Sequence, residues 1–342
     1  MNKDNLIKIA LIGGGGFIGH NLALHLKKEK NCEVYIVDNF QVNNYLSIIS
    51  NSDQVSSPKL SKFILEDRLK ILQENKIKIK ILDARDYHAL TQTIKDINPE
   101  YIVHLAAVSH SNRSNKDPHS TFDHSFRTLE NVLDISKTKI KKLIYLSSSM
   151  VYGNFKKDIV CENDICDPLG IYGTLKYSGE LIVKAYQQVF GLPYVIIRPS
   201  ALYGERCISR RVSQIFVENA LSGKEIIING DGKEKLDFTY IKDLIQGITL
   251  SIFSEKANNQ IFNLTFGNAR SINELLEITK KHFENLEIKY QKRDKLMPLR
   301  GTLSIDKAKS ILGYNPSWNL EKGFQEYIKW YKDLYQKYKI NE

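Results

Sequence analysis

Cysteine is scarce in this 342-residue chain. There are four, Cys32, Cys161, Cys166 and Cys207, and no C-x-x-C pair among them. That excludes a small disulfide-stapled scaffold and the paired-thiol motifs of zinc and redox sites, and reads as free thiols in a reducing, cytoplasmic setting. Long apolar runs are also missing. Nothing approaches the roughly 20 residues that a membrane-spanning helix needs, and the N-terminus leads into an apolar strand without a signal-peptide pattern. No fixed-period repeat is present, and no metal-ligand set stands out. Acidic residues are outnumbered, 39 Asp and Glu against 49 Lys and Arg, for a net charge of +10. The lysines are scattered, and no helix-turn-helix, zinc-finger or RNA-binding signature accompanies them. The excess therefore reads as attraction for an anionic small substrate, with no nucleic acid as partner. With 42% hydrophobic and 26% charged residues, the chain is ordinary globular protein, enough for one large domain or two small ones.

What is present is organised around Ile12-Gly13-Gly14-Gly15-Gly16-Phe17-Ile18-Gly19. The apolar run Ile7–Ile12 predicts a buried strand, and His20–Lys28, with Leu22, Leu24 and Leu26, predicts a helix. Glycines between them allow φ > 0 and let a diphosphate approach bare amides at a helix N-terminus. A second run, Val34–Val37, ends on Asp38, placed to accept from adenosine ribose hydroxyls. That carboxylate would repel a 2′-phosphate, and no Arg follows it directly, which favours NAD over NADP. Further runs at Ile79–Leu82, Tyr101–Leu105, Leu143–Leu146 and Val195–Ile197 mostly alternate with helical patterns. The fold class predicted is α/β with a doubly wound parallel sheet. Residues 39–75 read as an insertion on the rim of the cofactor site. Its first part is rich in Asn and Ser, and Lys62–Asn75 is helical in pattern. A lid, an oligomer contact and a surface elaboration are all open readings. Asp83 and Asp86 close the third strand, where one carboxylate reaches an adenine amino group and the other caps the helix Tyr87–Ile97. After the fourth strand, small residues let a cofactor pack on backbone; His104 reads as structural, and Ser109 and His110 sit where a substrate would be touched.

Three serines, Ser147 to Ser149, end the fifth strand and precede Met150-Val151-Tyr152-Gly153. Farther on, Tyr172 and Lys176 are spaced i, i+4 and share one helical face. An ammonium beside a phenol favours the phenolate, which makes a tyrosine a usable general acid and base for an alcohol–ketone pair. A nearby Ser hydroxyl can polarise the carbonyl.

With these motifs together the chain resembles the extended short-chain dehydrogenase/reductase superfamily, in its NAD-dependent nucleotide-sugar epimerase/dehydratase branch (UDP-glucose 4-epimerase-like). The resemblance runs through Gly13–Gly19, Asp38, Asp83, His104–Ala107, Ser147–Gly153, Tyr172–Lys176, Arg198-Pro199, Leu202-Tyr203-Gly204, Gly230-Asp231-Gly232 and Asp237-Phe238-Thr239-Tyr240. It implies a Rossmann-type domain over 1–198 and a smaller C-terminal α/β substrate-binding domain over 199–342, with some segments returning to the first. By the same resemblance Tyr172 is the acid/base, Lys176 holds the nicotinamide ribose and Ser148 is the catalytic hydroxyl. NAD contacts are then expected from Gly13, Gly16, Phe17, Ile18, Gly19, Asp38, Asn39, Asp83, Ala84, Leu105, Ala106 and Ala107, with Tyr172 and Lys176. Substrate contacts are expected from Ser109, Ser148, Ser149, Met150, Tyr172, Ala201, Arg206, Lys235 and Arg300. The resemblance also implies a homodimer, built on helices around Ser120–Lys137 and Thr174–Phe190, and a role in polysaccharide biosynthesis.

The departures from the branch narrow the chemistry. Its sugar 4,6-dehydratases carry an Asp-Glu pair where Ser149 and Met150 stand here, and methionine cannot donate a proton to a leaving hydroxyl. Its nucleotide-glucuronate decarboxylases tend to carry Glu at the place of Met150, and its epimerase–reductases use a Cys and a His, whereas no cysteine lies near Ser148. What remains is epimerisation, most simply at C4 through a transient 4-keto sugar. The alternatives are a 4-dehydrogenase or 4-ketoreductase with net NAD(H) turnover and, further off, a 4,6-dehydratase or a non-catalytic nucleotide-binding protein. Ala201 replaces the branch's frequent Asn, and Leu236, beside Lys235, replaces its frequent Arg. Lys235, Arg206, Arg210, Arg211 and Arg300 are the cations available instead. UDP is the default nucleotide, with GDP, CDP and dTDP open. The aromatic stripe of Leu320–Lys337 reads as core.

Overall fold

Short runs of Ile, Val and Leu, apolar on both sides of the chain, suit strands covered by helices on two faces. Seven such strands form the centre of the computed structural model, which describes residues 6–340 except 43, 51–56, 110, 138, 294 and 295. They are β1 (Lys8–Ile12), β2 (Glu33–Asp38), β3 (Lys78–Ile81), β4 (Tyr101–His104), β5 (Lys142–Leu146), β6 (Tyr194–Arg198) and β7 (Gln260–Asn263). All pair parallel, in the order β7-β6-β5-β4-β1-β2-β3. Alternate residues of β1 face two separate cores: Ile9 and Leu11 one, Ala10 and Ile12 the other. Strand order reverses between β1 and β4. Connections from these neighbours leave in opposite directions and open a crevice at the carboxyl end of the sheet.

Helix α1 (Phe17–Glu29) starts three residues before the expected His20, because only Gly13 to Gly16 form the turn. Gly13 has φ +78°, and a Cβ there would lie 2.5 Å from the Ala106 amide nitrogen. The two loops meet backbone to backbone only because this residue is glycine. Helix α2 (Pro58–Glu74) is the longer of two helices in the 39–75 stretch, the other being Tyr45–Ser50 in its Asn- and Ser-rich first part. Helix α2 starts before the expected Lys62, with proline in its first turn. β3 is displaced by one residue from the expected Ile79–Leu82. It is an edge strand with Ile81 79% exposed, so burial did not sharpen its apolar pattern.

The chain beyond Arg198 does not stay apart from the sheet, since β7 returns to pair with β6. Around it, Ile226–Asn229 pairs with Ile288–Gln291, and Leu202–Tyr203 with Thr239–Tyr240. Asp237 ties these segments together. It accepts from the Thr265 hydroxyl and from the amides of Gly267 and Leu303, and burial pushes its pKa up to about 6 against those donors. Two further helices matter below, α3 (Gly170–Phe190) and α4 (Leu320–Tyr338). On α4, Phe324, Tyr327 and Tyr331 are fully buried among Tyr203 and Tyr240, as the stripe predicted. Among the described residues no helix is long and apolar enough to cross a membrane.

Candidate active site

The crevice beyond β1 and β4 is a cleft. Gly13, Gly16, Phe17, Ile18 and Gly19 form its floor, Asp38 ends β2 and Asn39 follows it, Asp83 and Ala84 follow β3, and Leu105, Ala106 and Ala107 follow β4. Helix α1 has no side-chain cap among the described residues. Its first amides are left for an anion and lie at the positive end of the helix dipole. Asp38 is fixed by the loop it serves: Oδ2 accepts from the Gly15 amide at 2.9 Å and Oδ1 from that of Phe40 at 2.7 Å. Burial pushes its pKa up, against these donors. Bare glycine, uncapped helix and strand-end carboxylate together fit a dinucleotide.

Asp83 and Asp86 take different places. Asp86 caps the helix Tyr87–Ile97 by accepting from the Ala89 amide at 3.0 Å. Asp83 stays on the cleft wall and is gripped by Arg85, whose Nη2 lies 2.6 Å from Oδ2. Burial works to raise Asp83, yet the Arg85 guanidinium holds it down at about 2. Arg85 is braced in turn by Asp123 at 2.7 Å. Asp123 opens a π-helical turn, Asp123–Arg127, and His124 within it and Thr128 just after it also line the cleft.

A second cavity, of about 400 Å³, opens beside the first. Ser148, Ser149 and Met150 line it from the end of β5, Tyr172 from the first turn of α3, and Ala201 from beyond β6. Ser148 Oγ accepts from the Met150 amide at 3.2 Å and so caps the turn Ser149–Tyr152. Glycine again permits the approach: a Cβ on Gly173 would lie 2.8 Å from the Met150 carbonyl oxygen, so α3 seats directly on the serine turn. Tyr172, Lys176 and Glu180 follow at one-turn intervals on α3. Lys176 is buried, donates from Nζ to the Leu146 carbonyl at 2.6 Å and lies over the Tyr145 ring. Burial pushes its pKa down to about 8, with Glu180 opposing. Glu180 is wholly buried and bridges two elements. It accepts from Ser147 Oγ at 2.5 Å and from the Arg198 fork at 2.9 and 2.6 Å. The serine turn and the Tyr172 helix are thereby tied to β6.

Arg210, Arg211 and Arg300 supply the cationic wall of this cavity. Arg300 Nε is buried with no partner among the described residues, and burial pushes the guanidinium down to about 10, with Arg211 also lowering it. Ser109 and Arg211 line both spaces, so cleft and cavity share a wall. Two residues expected at the substrate are not among those lining the cavity. Arg206 turns to Asp67, with Nε 2.8 Å from Oδ2, and Lys235 is exposed on a two-residue strand. A cation on an exposed strand keeps its hydration, and one already paired has its donors in use. His110 lies outside the described residues. Sequence reasoning missed Arg68, on α2, which lines the cofactor cleft. Its signal was a cation on the apolar face of an amphipathic helix, in phase with Leu60, Ile64 and Leu72.

A family model described as the NAD dependent epimerase/dehydratase family matches residues 9–265. The chain belongs to that family. An uncharacterized UDP-glucose epimerase of Bacillus subtilis is 28% identical over 334 residues, 96% of this chain and 99% of that one. UDP-glucuronate 4-epimerase 1 of Arabidopsis thaliana is 28% identical over 359 residues, covering 98% of this chain and 79% of that protein. Among solved structures, UDP-glucuronic acid 4-epimerase of Bacillus cereus, in complex with UDP-glucuronic acid and NAD, superposes with a TM-score of 0.86 at 26% identity, over 96% of this chain and all of that one. As a member of the family the chain is an NAD-dependent enzyme, and the cleft between the glycine turn and Asp83 is the place that fits NAD.

Proposed function

We propose that this enzyme is a UDP-sugar 4-epimerase. The observation that carries the reading is the composition of the substrate cavity. Ser148 and Tyr172 line it together, Met150 lies where a dehydratase would need an acid, and Ser109 and Arg211 join it to the cofactor cleft. Among the described residues the one carboxylate on its wall, Glu234, is paired with Arg293. Held against the glycine turn and Asp38, NAD would supply the hydride acceptor and donor for C4, and the keto sugar must present its other face between the two transfers for the configuration to invert. The chain does the rest. Tyr172 takes the proton from the C4 hydroxyl oxygen and gives it back, and Ser148 donates to that oxygen while it is a carbonyl. Lys176 keeps a positive charge one helical turn behind Tyr172. Arg211 and Arg300 hold the diphosphate, where forked guanidinium groups suit bidentate binding, and Arg210, paired with Glu218, adds its charge to the same wall. The names of the relatives support UDP as the nucleotide.

Purified protein incubated with UDP-hexoses and UDP-hexuronic acids, followed by NMR, should yield C4 epimer pairs without added reductant. Inertness toward that panel, or conversion only with stoichiometric NADH, would refute the epimerase. We further propose a homodimer, with α3 and the helices of residues 118–136 at the interface. Supporting this, Leu181, Val189 and Phe190 are exposed on α3 and Phe122 on the neighbouring segment.

A further inference from the structure

Burying an arginine is unfavourable unless its hydrogen bonds are met. Arg68, delivered by α2, is 1% exposed and spans two distant backbones. Its Nε has no partner among the described residues, but Nη1 donates to the Gly15 carbonyl at 2.9 Å, which also accepts from Asn44 Nδ2 at 3.0 Å, and Nη2 donates to the Arg206 carbonyl at 2.6 Å. Those carbonyls belong to different halves of the site. Gly15 sits in the loop whose next residues, Gly16 and Phe17, line the cofactor cleft. Arg206 opens a turn that runs to Arg211, and within it Ile208 and Ser209 line the cleft while Arg210 lines the substrate cavity. Arg206 holds a left-handed backbone, φ +65°, costing about 1 kcal/mol or more for a residue with a Cβ. Such a conformation persists only where its surroundings enforce it. Here Asp67 accepts from Arg206 Nε, Arg68 fixes its carbonyl, and Trp330 of α4 lies under its guanidinium at 6.0 Å. Asp67 also accepts from Lys337 of α4.

We propose that Asp67 and Arg68 are positioning residues that lock the arginine turn of the substrate cavity to the glycine loop of the cofactor cleft. They act through the Gly15 and Arg206 backbones. Helix α2 is then a brace between the two binding sites. The inference rests on the reading above only in taking UDP as its probe.

The test measures NAD retained on purification and the calorimetric Kd for UDP in wild type, Asp67→Asn, Arg68→Lys and Arg68→Met. Asp67→Asn loosens the Arg206 side and the Lys337 contact to α4 but leaves the Arg68–Gly15 bond in place, and should keep NAD while weakening UDP by about fivefold or more. Arg68→Met should lose both. Arg68→Lys keeps the charge but not the fork, and should resemble Arg68→Met. A residue that only stabilised the fold would lower Tm in these variants and leave UDP affinity alone. UDP binding within about twofold of wild type in every folded variant overturns the proposal. If neither Arg68 variant folds, Asp67→Asn decides alone. If wild type itself binds no UDP, the nucleotide assignment fails, and NAD retention by Arg68→Met that equals wild type then overturns this inference separately.

Discussion

At the scale of single residues, the site separates groups that touch substrate from groups that hold them. Tyr172 belongs to the first kind under the proposed mechanism. Tyr172→Phe should leave Tm within a degree or two and reduce turnover by roughly 10²–10⁴-fold; substantial residual epimerisation would move the acid/base role elsewhere. His104 belongs to the second. It ends β4, is 1% exposed and stacks on Tyr145 at 6.0 Å, and burial with the charge of Lys176 pushes its pKa down to about 3. In the unfolded chain it titrates near 6.5. Protons therefore bind the unfolded state first, and the stability this neutral histidine supports is complete above about pH 6.5 and lost as pH falls toward 3. His20 is pushed down too, first by burial and then by Arg68. Replacing His104 by Gln should flatten the fall of unfolding free energy between pH 6 and 4 by about 1.4 kcal/mol per pH unit, read by denaturant titration. An unchanged slope would contradict a buried neutral imidazole.

At the scale of elements, glycine contacts set how closely the catalytic pieces approach. Gly173→Ala would drive a methyl into the Met150 carbonyl and lift α3 from the serine turn. We expect about 1–3 kcal/mol of destabilisation and a loss in turnover of ~100-fold, out of proportion to it, because small displacements of aligned groups are costly. The Glu180–Arg198 pair makes the complementary prediction. Arg198→Met strands a carboxylate with no exposure and should cost roughly 3–5 kcal/mol in denaturant unfolding, whereas removing both charges together should cost less. The elements were legible in the sequence wherever both faces of a strand are covered, as in β1, β2, β4, β5 and β6, because continuous apolar runs then have one reading. Tyr87–Ile97 was legible in full, with Asp86 as its cap. β3 was off by one residue at an exposed edge. β7, Gln-Ile-Phe-Asn, had too little apolar length to announce itself. In the site, the glycine turn and the Tyr-Lys spacing are local signals and could be read. Whether Arg206 or Arg211 faces the cavity is decided by Asp67, a residue distant in sequence, and no local pattern encodes that.

At the scale of the whole molecule, the proposed dimer is the open structural question with the plainest physical handle. Val189 is 71% exposed on α3, with Leu181 on the same helix. Light scattering should give twice the 39.3 kDa chain mass. Leu181→Arg together with Val189→Asp should shift it to monomer while leaving NAD bound, since neither residue lines the cleft. A wild-type monomer would refute the interface.

The late arrival of β7 also bears on how the chain is made. Tyr194 and Asn259, which are hydrogen-bonded where β6 meets the start of β7, are 65 residues apart. At about 5–20 residues per second, a ribosome leaves the Tyr-Val-Ile-Ile edge of β6 unpaired for several seconds. That interval is long compared with the time two nascent edges need to find one another, so crowded polysomes are where this protein is most exposed to aggregation.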